Sequence, residues 1–320
     1  MYPFRNILFP TDFSPHAHAG LKYAAAFARE GRGRVVLLSV QDGKVPANLL
    51  TLPEYVFQEH ENNWLSQLRS QVKELLTDPL LYGVEAEPVL LEGEPATQIA
   101  QAAIDYEVDL ITVVTRDRNR FSRAFGGSIA EEIVAEAPCA VLAIRPPQHD
   151  FVEHRSGHTE IRLNRVLLAT NFRPSSSAAT QLGTSIANHL GAELHAVYVI
   201  GDYFEQISAM FPEGGLAALT RLRSYVQERM TNLMHTAPAN ETHIVEGRPY
   251  QEIVKLAAKI EADLIVLGTA VHGSLFGGGQ VLGSEVERVI RNSPCPVLCV
   301  PAAKVVTPLP AFVTQAVPQT

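Results

Sequence analysis

The sequence predicts an α/β fold built twice, each copy a five-stranded parallel sheet with helices on both faces. Three observations carry this. Short apolar runs alternate with helix-period segments along the chain, the pattern of strands buried on both faces. A set of landmarks recurs in the same order in the two halves. The length, 320 residues, suits about two domains of ordinary size.

The landmarks fix the register of the repeat. Residues 5–15 read RNILFPTDFSP and residues 164–174 read NRVLLATNFRP, which places Phe172 on Phe13 and Pro174 on Pro15. Glu92-Gly93-Glu94-Pro95 is echoed by Glu246-Gly247-Arg248-Pro249. Gly126-Gly127-Ser128 is echoed by Leu282-Gly283-Ser284, and Ala137-Pro138-Cys139 by Ser293-Pro294-Cys295. Chance matches would not stay in order. The expected organisation is a first unit over 1–147, a linker over 148–162, a second unit over 163–301 and a tail over 302–320.

In the first unit Asn6–Pro10 suits a central strand. Ser14-Pro15 reads as an N-cap followed by proline at the first helical position, opening a helix that Gly31 to Gly33 end. Strands follow at Val35–Val40, Ala86–Leu91, Leu110–Val114 and Cys139–Ile144. Helices follow at Pro53–Leu76, Pro95–Asp105 and Ser128–Glu136. The second unit repeats the order, with strands near Val166–Ala169, Glu193–Val199, Glu241–Val245, Leu264–Leu267 and Pro296–Val300. Its helices lie near Ser175–Leu190, Leu216–Met234, Pro249–Ile260 and Ser284–Arg291. Residues 146–162 hold two prolines and three histidines among few apolar residues, which reads as a connecting segment.

Composition excludes several classes. The net charge is −8, so the broad basic surface that nucleic acid needs is missing. No run of 18 or more apolar residues is present, which excludes a bilayer-spanning helix. Three cysteines cannot build a secreted disulfide framework. Cys139, Cys295 and Cys299 sit in apolar runs and read as buried thiols of a reducing compartment.

Ligands of such sheets collect beyond the carboxyl ends of the strands. The clearest constellation there is Gly268-Thr269-Ala270-Val271-His272-Gly273, then nine residues, then Gly283-Ser284. Glycines permit tight turns and close approach of a ligand, and the N–H groups of a helix start hold phosphate oxygens. No Gly-Lys-Thr/Ser triplet makes it a Walker loop, and its glycines sit in the wrong turn for a dinucleotide fingerprint.

With Asp12 after the first strand, Gly273, Gly283-Ser284 and Pro294-Cys295-Pro296-Val297-Leu298, the chain resembles a tandem universal stress protein. The resemblance implies a doubly wound five-stranded sheet in each unit, of the adenine nucleotide alpha hydrolase-like type. It implies units packed as an intrachain pseudo-dimer through their last strands, with further homo-oligomers open to the chain. It implies ATP, with Mg, as the ligand. The adenosine side would fall to Thr11, Asp12 and Val40 in the first unit and to Asn171 and Val199 in the second. The phosphates would fall to Gly127 and Ser128, and to Gly268, Gly273, Gly283 and Ser284. It also implies a cytoplasmic regulator with an unnamed protein partner, and neither nucleic acid nor membrane as partner.

Each unit departs from the family pattern differently. The first keeps Asp12 but carries Asp117 where the second loop glycine belongs, among Arg116, Arg118, Arg120 and Arg123; these arginines read either as phosphate contacts or as a solvated loop. The second keeps its glycines but has Asn171 for the acid and two extra residues between Gly268 and Gly273. Ser128-x-x-Glu131 and Ser284-x-x-Glu287 fit capping boxes. No catalytic set emerges from His16, His18 or His272, and His149, His154 and His158 read as a solvated linker rather than metal ligands. The expectation is therefore no catalytic residues, no resident metal site and at most slow, incidental ATP hydrolysis. Trp64, with Leu65 and Leu68 near it, reads as core or interface packing. The alternative function is a nucleotide-independent interaction scaffold.

Overall fold

The computed structural model describes residues 2–41, 66–67, 70–115, 129–145, 149–155, 158–201, 212–237, 239–269, 271–273 and 280–302. The first half holds β1 (Asn6–Pro10), α1 (Pro15–Glu30), β2 (Arg34–Gln41), β3 (Glu85–Glu92), α2 (Pro95–Asp105), β4 (Leu110–Val114), α3 (Ile129–Glu136) and β5 (Ala140–Ile144). A short hairpin follows, β6 (Val152–Arg155) and β7 (His158–Ile161). The second half holds β8 (Arg165–Ala169), α4 (Pro174–Leu190), β9 (Glu193–Gly201), α5 (Pro212–Thr236), β10 (Glu241–Gly247), α6 (Pro249–Lys259) and β11 (Leu264–Thr269). It closes with β12 (Val271–Gly273), β13 (Gln280–Leu282), α7 (Ser284–Asn292) and β14 (Val297–Pro301).

Ten strands form one sheet in the order β10-β9-β8-β11-β14-β5-β4-β1-β2-β3. Each half is parallel and doubly wound. The halves meet where β14 pairs antiparallel with β5, with Leu298 opposite Leu142 and Cys299 opposite Val141. Two buried cores lie on the two faces and run unbroken across this junction. One holds residues of α1, α4 and α5 with Leu142 and Leu298. The other holds residues of α2, α3, α6 and α7 with Val141 and Val297. Burying leucines such as Leu142 and Leu298 stabilises the molecule by about 1.5–3 kcal/mol each, so the junction is part of the core.

Local chemistry explains the element ends. Ser14 Oγ accepts from the Ala17 N–H at 3.2 Å and Pro15 opens α1. At the following corner a Cβ on Gly33 would stand 1.9 Å from the Arg5 carbonyl oxygen, so only glycine fits. Gly93 and Gly247, the glycines of the repeated Glu-Gly-x-Pro, have φ of 137° and 141°, open to glycine alone. Of the other positive-φ residues, six also pair across the repeat, Phe13 with Phe172, Arg32 with Gly191 and Glu107 with Glu261, while Gly83 has no counterpart among the described residues.

Two expectations are corrected. The segment over 148–162 is not a solvated connector. It folds as the β6–β7 hairpin and packs on α1, with Phe151 and Thr159 buried. Tyr23 donates to Asp150 at 2.8 Å, Lys22 pairs with the same carboxylate, and Arg29 donates to the Thr159 carbonyl at 3.2 Å. Its apolar residues are few but fall on the buried side. The second correction is Ser284, which is not an N-cap. Gly283 holds that position with extended dihedrals, α7 begins at Ser284, and no side chain caps it. Ser128, most of the helix expected over Pro53–Leu76 with Trp64, and the tail beyond residue 302 lie outside the described residues; residues 70–76 are helical.

Candidate functional site

The strand-to-helix turns after β1 and β8 have the same construction. In the first half the Thr11 N–H donates to the Leu38 carbonyl, and the Phe13 N–H to Thr11 Oγ1 at 3.0 Å. The Ser14 N–H donates to Asp12 Oδ1 at 3.0 Å. In the second half Thr170 N–H donates to the Val197 carbonyl, Phe172 N–H to Thr170 Oγ1 at 3.2 Å, and Arg173 N–H to Asn171 Oδ1 at 3.0 Å. Asn171 thus replaces Asp12 without loss of the turn, because a single oxygen makes it. What changes is charge and engagement. Asn171 Oδ1 also accepts from Ser176 Oγ at 2.7 Å, while its N–H donates back to that hydroxyl at 3.2 Å. Both side chains are exposed beyond the carboxyl ends of the strands.

Val40 and Val199 lie half-buried near the ends of β2 and β9 and pack against the same core as α2 and α6. Gly268 is in β11 opposite Val300 of β14. Gly273 is in β12 and pairs with Gln280 of β13. Gly283 follows directly and caps α7. The long spacing from Gly268 to Gly283 is therefore taken up in part by a hairpin. Gly268, Gly283 and exposed Ser284 come together with Asn171 at one end of the second half of the sheet, because all lie at or just beyond the carboxyl ends of β11 and β8, which are neighbours. In the first half only Thr11, Asp12 and Val40 are placed. Gly127, Ser128, Asp117 and the four loop arginines lie outside the described residues.

The two halves also touch outside the pairing of β14 with β5. β13 of the second half packs against α3 of the first. Glu131 of α3 receives two hydrogen bonds from Arg291 of α7, at 2.7 and 2.9 Å, and Arg291 also pairs with Glu287 of its own helix. The Glu131 hydrogen bonds raise the Arg291 pKa further above its ordinary value. Sequence reasoning missed this crossing, since nothing local pairs residue 131 with residue 291.

It also missed a matched pair of aspartates. Asp109 Oδ2 accepts the N–H groups of Arg5 and Asn6 at 2.8 and 2.9 Å. Asp263 Oδ2 accepts those of Asn164 and Arg165 at 2.7 and 2.9 Å. Each ties the start of the following strand to the start of the half's central strand. The repeated Asp-Leu-Ile at 109–111 and 263–265 was the available signal.

The thiols are buried as expected for Cys295 and Cys299, while Cys139 is half-buried. Burial pushes the Cys139 and Cys295 thiols up to about 12 and Cys299 higher still. They are protonated at neutral pH and therefore poor nucleophiles. His195 and His243, which the sequence did not single out, stand close together on β9 and β10 with Glu241.

Among the described residues no helix is long and apolar enough to cross a membrane. The pattern of the universal stress protein family matches residues 3–145 and 162–301. A universal stress protein of Methanocaldococcus jannaschii is 33% identical over 150 residues, covering 44% of this chain and 83% of that protein. One from Thermus aquaticus is 31% identical over 144 residues, covering 44% and 99%. Among solved structures, a universal stress protein from Archaeoglobus fulgidus superposes with a TM-score of 0.61 at 22% identity, over 93% of this chain and 98% of that one. Two matches to one family pattern, meeting in one sheet, lead to a single conclusion: the chain belongs to the universal stress protein family and carries two copies of its domain in tandem.

Proposed function

We propose that the protein is a regulator that takes ATP as a conformational ligand in its second half. The observation that carries this is the start of α7. Gly283 stands at its N-cap and no side chain caps the helix, so no cap side chain competes with a phosphate for the first-turn N–H groups. Gly268 lies on β11 beside it, and Asn171 offers an uncharged amide on the adenosine side. Mg would accompany the nucleotide and spread the triphosphate charge. Because β13 packs on α3 of the first half, a ligand that orders the β12–β13 hairpin bears on both halves. A ligand that binds one arrangement better than another shifts the population towards it.

One observation favours the alternative, a scaffold that works without nucleotide. Glu285 and Glu287 place two carboxylates in the first turn of α7, where they oppose a triphosphate. Glu285 accepts from the Tyr250 N–H at 2.9 Å and Glu287 pairs with Arg291, so both are held in place.

The test is to denature the purified protein, separate any released nucleotide by chromatography, and melt the protein with and without millimolar Mg-ATP. Released ATP, or a rise in Tm with Mg-ATP, supports the regulator. Neither effect would overturn it in favour of the scaffold.

A further inference from the structure

We propose that His195, His243 and Glu241 form a binding site for a divalent transition-metal ion of the zinc class, at the opposite end of the sheet from the strand-end crevice. β9 and β10 are parallel with Glu241 opposite His195, and His243, two residues on, returns to the same face. This brings three metal-ligating groups together near the amino ends of both strands. His195 Nδ1 lies 3.6 Å from Glu241 Oε2 and 3.5 Å from His243 Nε2, and the three ligand atoms lie within 4.8 Å of one another. Tetrahedral zinc with ligands at about 2.0–2.1 Å sets them roughly 3.3 Å apart. The cluster is close to that spacing before any ion draws it in.

The surroundings also suit a metal. His195 has a side chain only 10% exposed. Its other ring nitrogen, Nε2, is buried and without a hydrogen-bond partner among the described residues, and faces Glu193 Oε2 at 3.7 Å. A carboxylate behind the second nitrogen of a ligating histidine orients the ring and raises its basicity. Glu193 is steadied by Arg165 Nε at 3.8 Å. Glu241 is 60% exposed, leaving water to complete the sphere. Two imidazoles and one carboxylate suit zinc-class ions better than magnesium or calcium, which prefer oxygen alone.

The repeat supplies an internal control. The registers of β2 with β3 and of β9 with β10 place Val36 where His195 stands, Glu87 where Glu241 stands and Val89 where His243 stands. Val36 and Val89 are buried. The fold needs only an aliphatic side chain at either histidine position, so the imidazoles are a specific addition of the second half.

The experiment uses the full chain stripped with a chelator and titrated with Zn²⁺ alone by calorimetry, then with Co²⁺ by visible absorption, with circular dichroism confirming that each variant is folded. One equivalent of Zn²⁺ should bind. The double variant His195→Val/His243→Val, which carries the first half's own residues, should abolish it. Exposed Glu241→Gln should weaken it, and Glu193→Gln should weaken it by about 10–100-fold. The Co²⁺ spectrum should lack a thiolate charge-transfer band. No binding by the native chain, binding that survives the double variant, or a thiolate band assigning the metal to cysteine would each overturn the proposal.

Discussion

In the first half Glu94 caps α2 by accepting from the Ala96 and Thr97 N–H groups, and Ser14 caps α1. In the second half Arg248 and Arg173 hold the matching positions and no side chain caps either helix. Yet the backbone is alike at both places: proline follows, and the preceding Gly93 and Gly247 share a left-handed φ. Backbone requirements have been kept in both halves, while side-chain duties at helix starts and strand ends have diverged. The shared parts hold the sheet, and the divergent parts lie at the strand ends and helix starts around the candidate site.

The first way to break this comparison is at the junction, where the halves must act alike. Leu142→Ala and Leu298→Ala should each cost about 2–5 kcal/mol in urea unfolding, and the native chain should unfold in one transition because both cores cross the junction. Two separate transitions would mean that the halves are independent. Next come Asp109→Ala and Asp263→Ala. Each leaves two backbone N–H groups without their carboxylate and should cost about 1.5–3 kcal/mol, by similar amounts in the two halves. A large inequality would show that the repeat is less exact than its geometry. A smaller effect separates the caps: Glu94→Ala should cost about 1 kcal/mol, while Arg248→Ala should stay within about 0.5 kcal/mol of the native chain.

The thiols give the smallest effect at neutral pH. Their folded pKa values are raised by burial. The unfolded chain therefore loses thiol protons first, above about pH 8.5, and stability falls as pH rises through that range. Below it the thiols leave stability unchanged. A thiol reagent at pH 8 should label Cys295 and Cys299 only after denaturation. Rapid labelling of either in the native protein would contradict their burial.

Much of the frame was legible in the sequence. β1, α2 and β4 begin and end where the residues suggest, because apolar runs there are bounded by proline or charged residues. The repeat was legible because turn residues with special φ are hard to replace. The β6–β7 hairpin was not, since histidine and proline dominated a segment whose few apolar residues are placed by packing on α1. Ser284 stands one position past the cap; a Ser-x-x-Glu spacing does not by itself say where helical dihedrals begin. His195 and His243 lie 48 residues apart and meet only through the register of β9 with β10, which no local pattern encodes. At the candidate site the sequence pointed to Asn171, Gly268 and Gly283, which the fold brings to one end of the second half; the crossing of β13 onto α3 needed the structure.

The most direct test of the divergence is the stoichiometry of Mg-ATP binding to the full chain, by equilibrium dialysis, for the native protein, Gly273→Asp and Asp12→Ala. The account predicts one equivalent, greatly weakened by Gly273→Asp and retained in Asp12→Ala. Two equivalents, or a single one lost with Asp12→Ala and kept in Gly273→Asp, would contradict it.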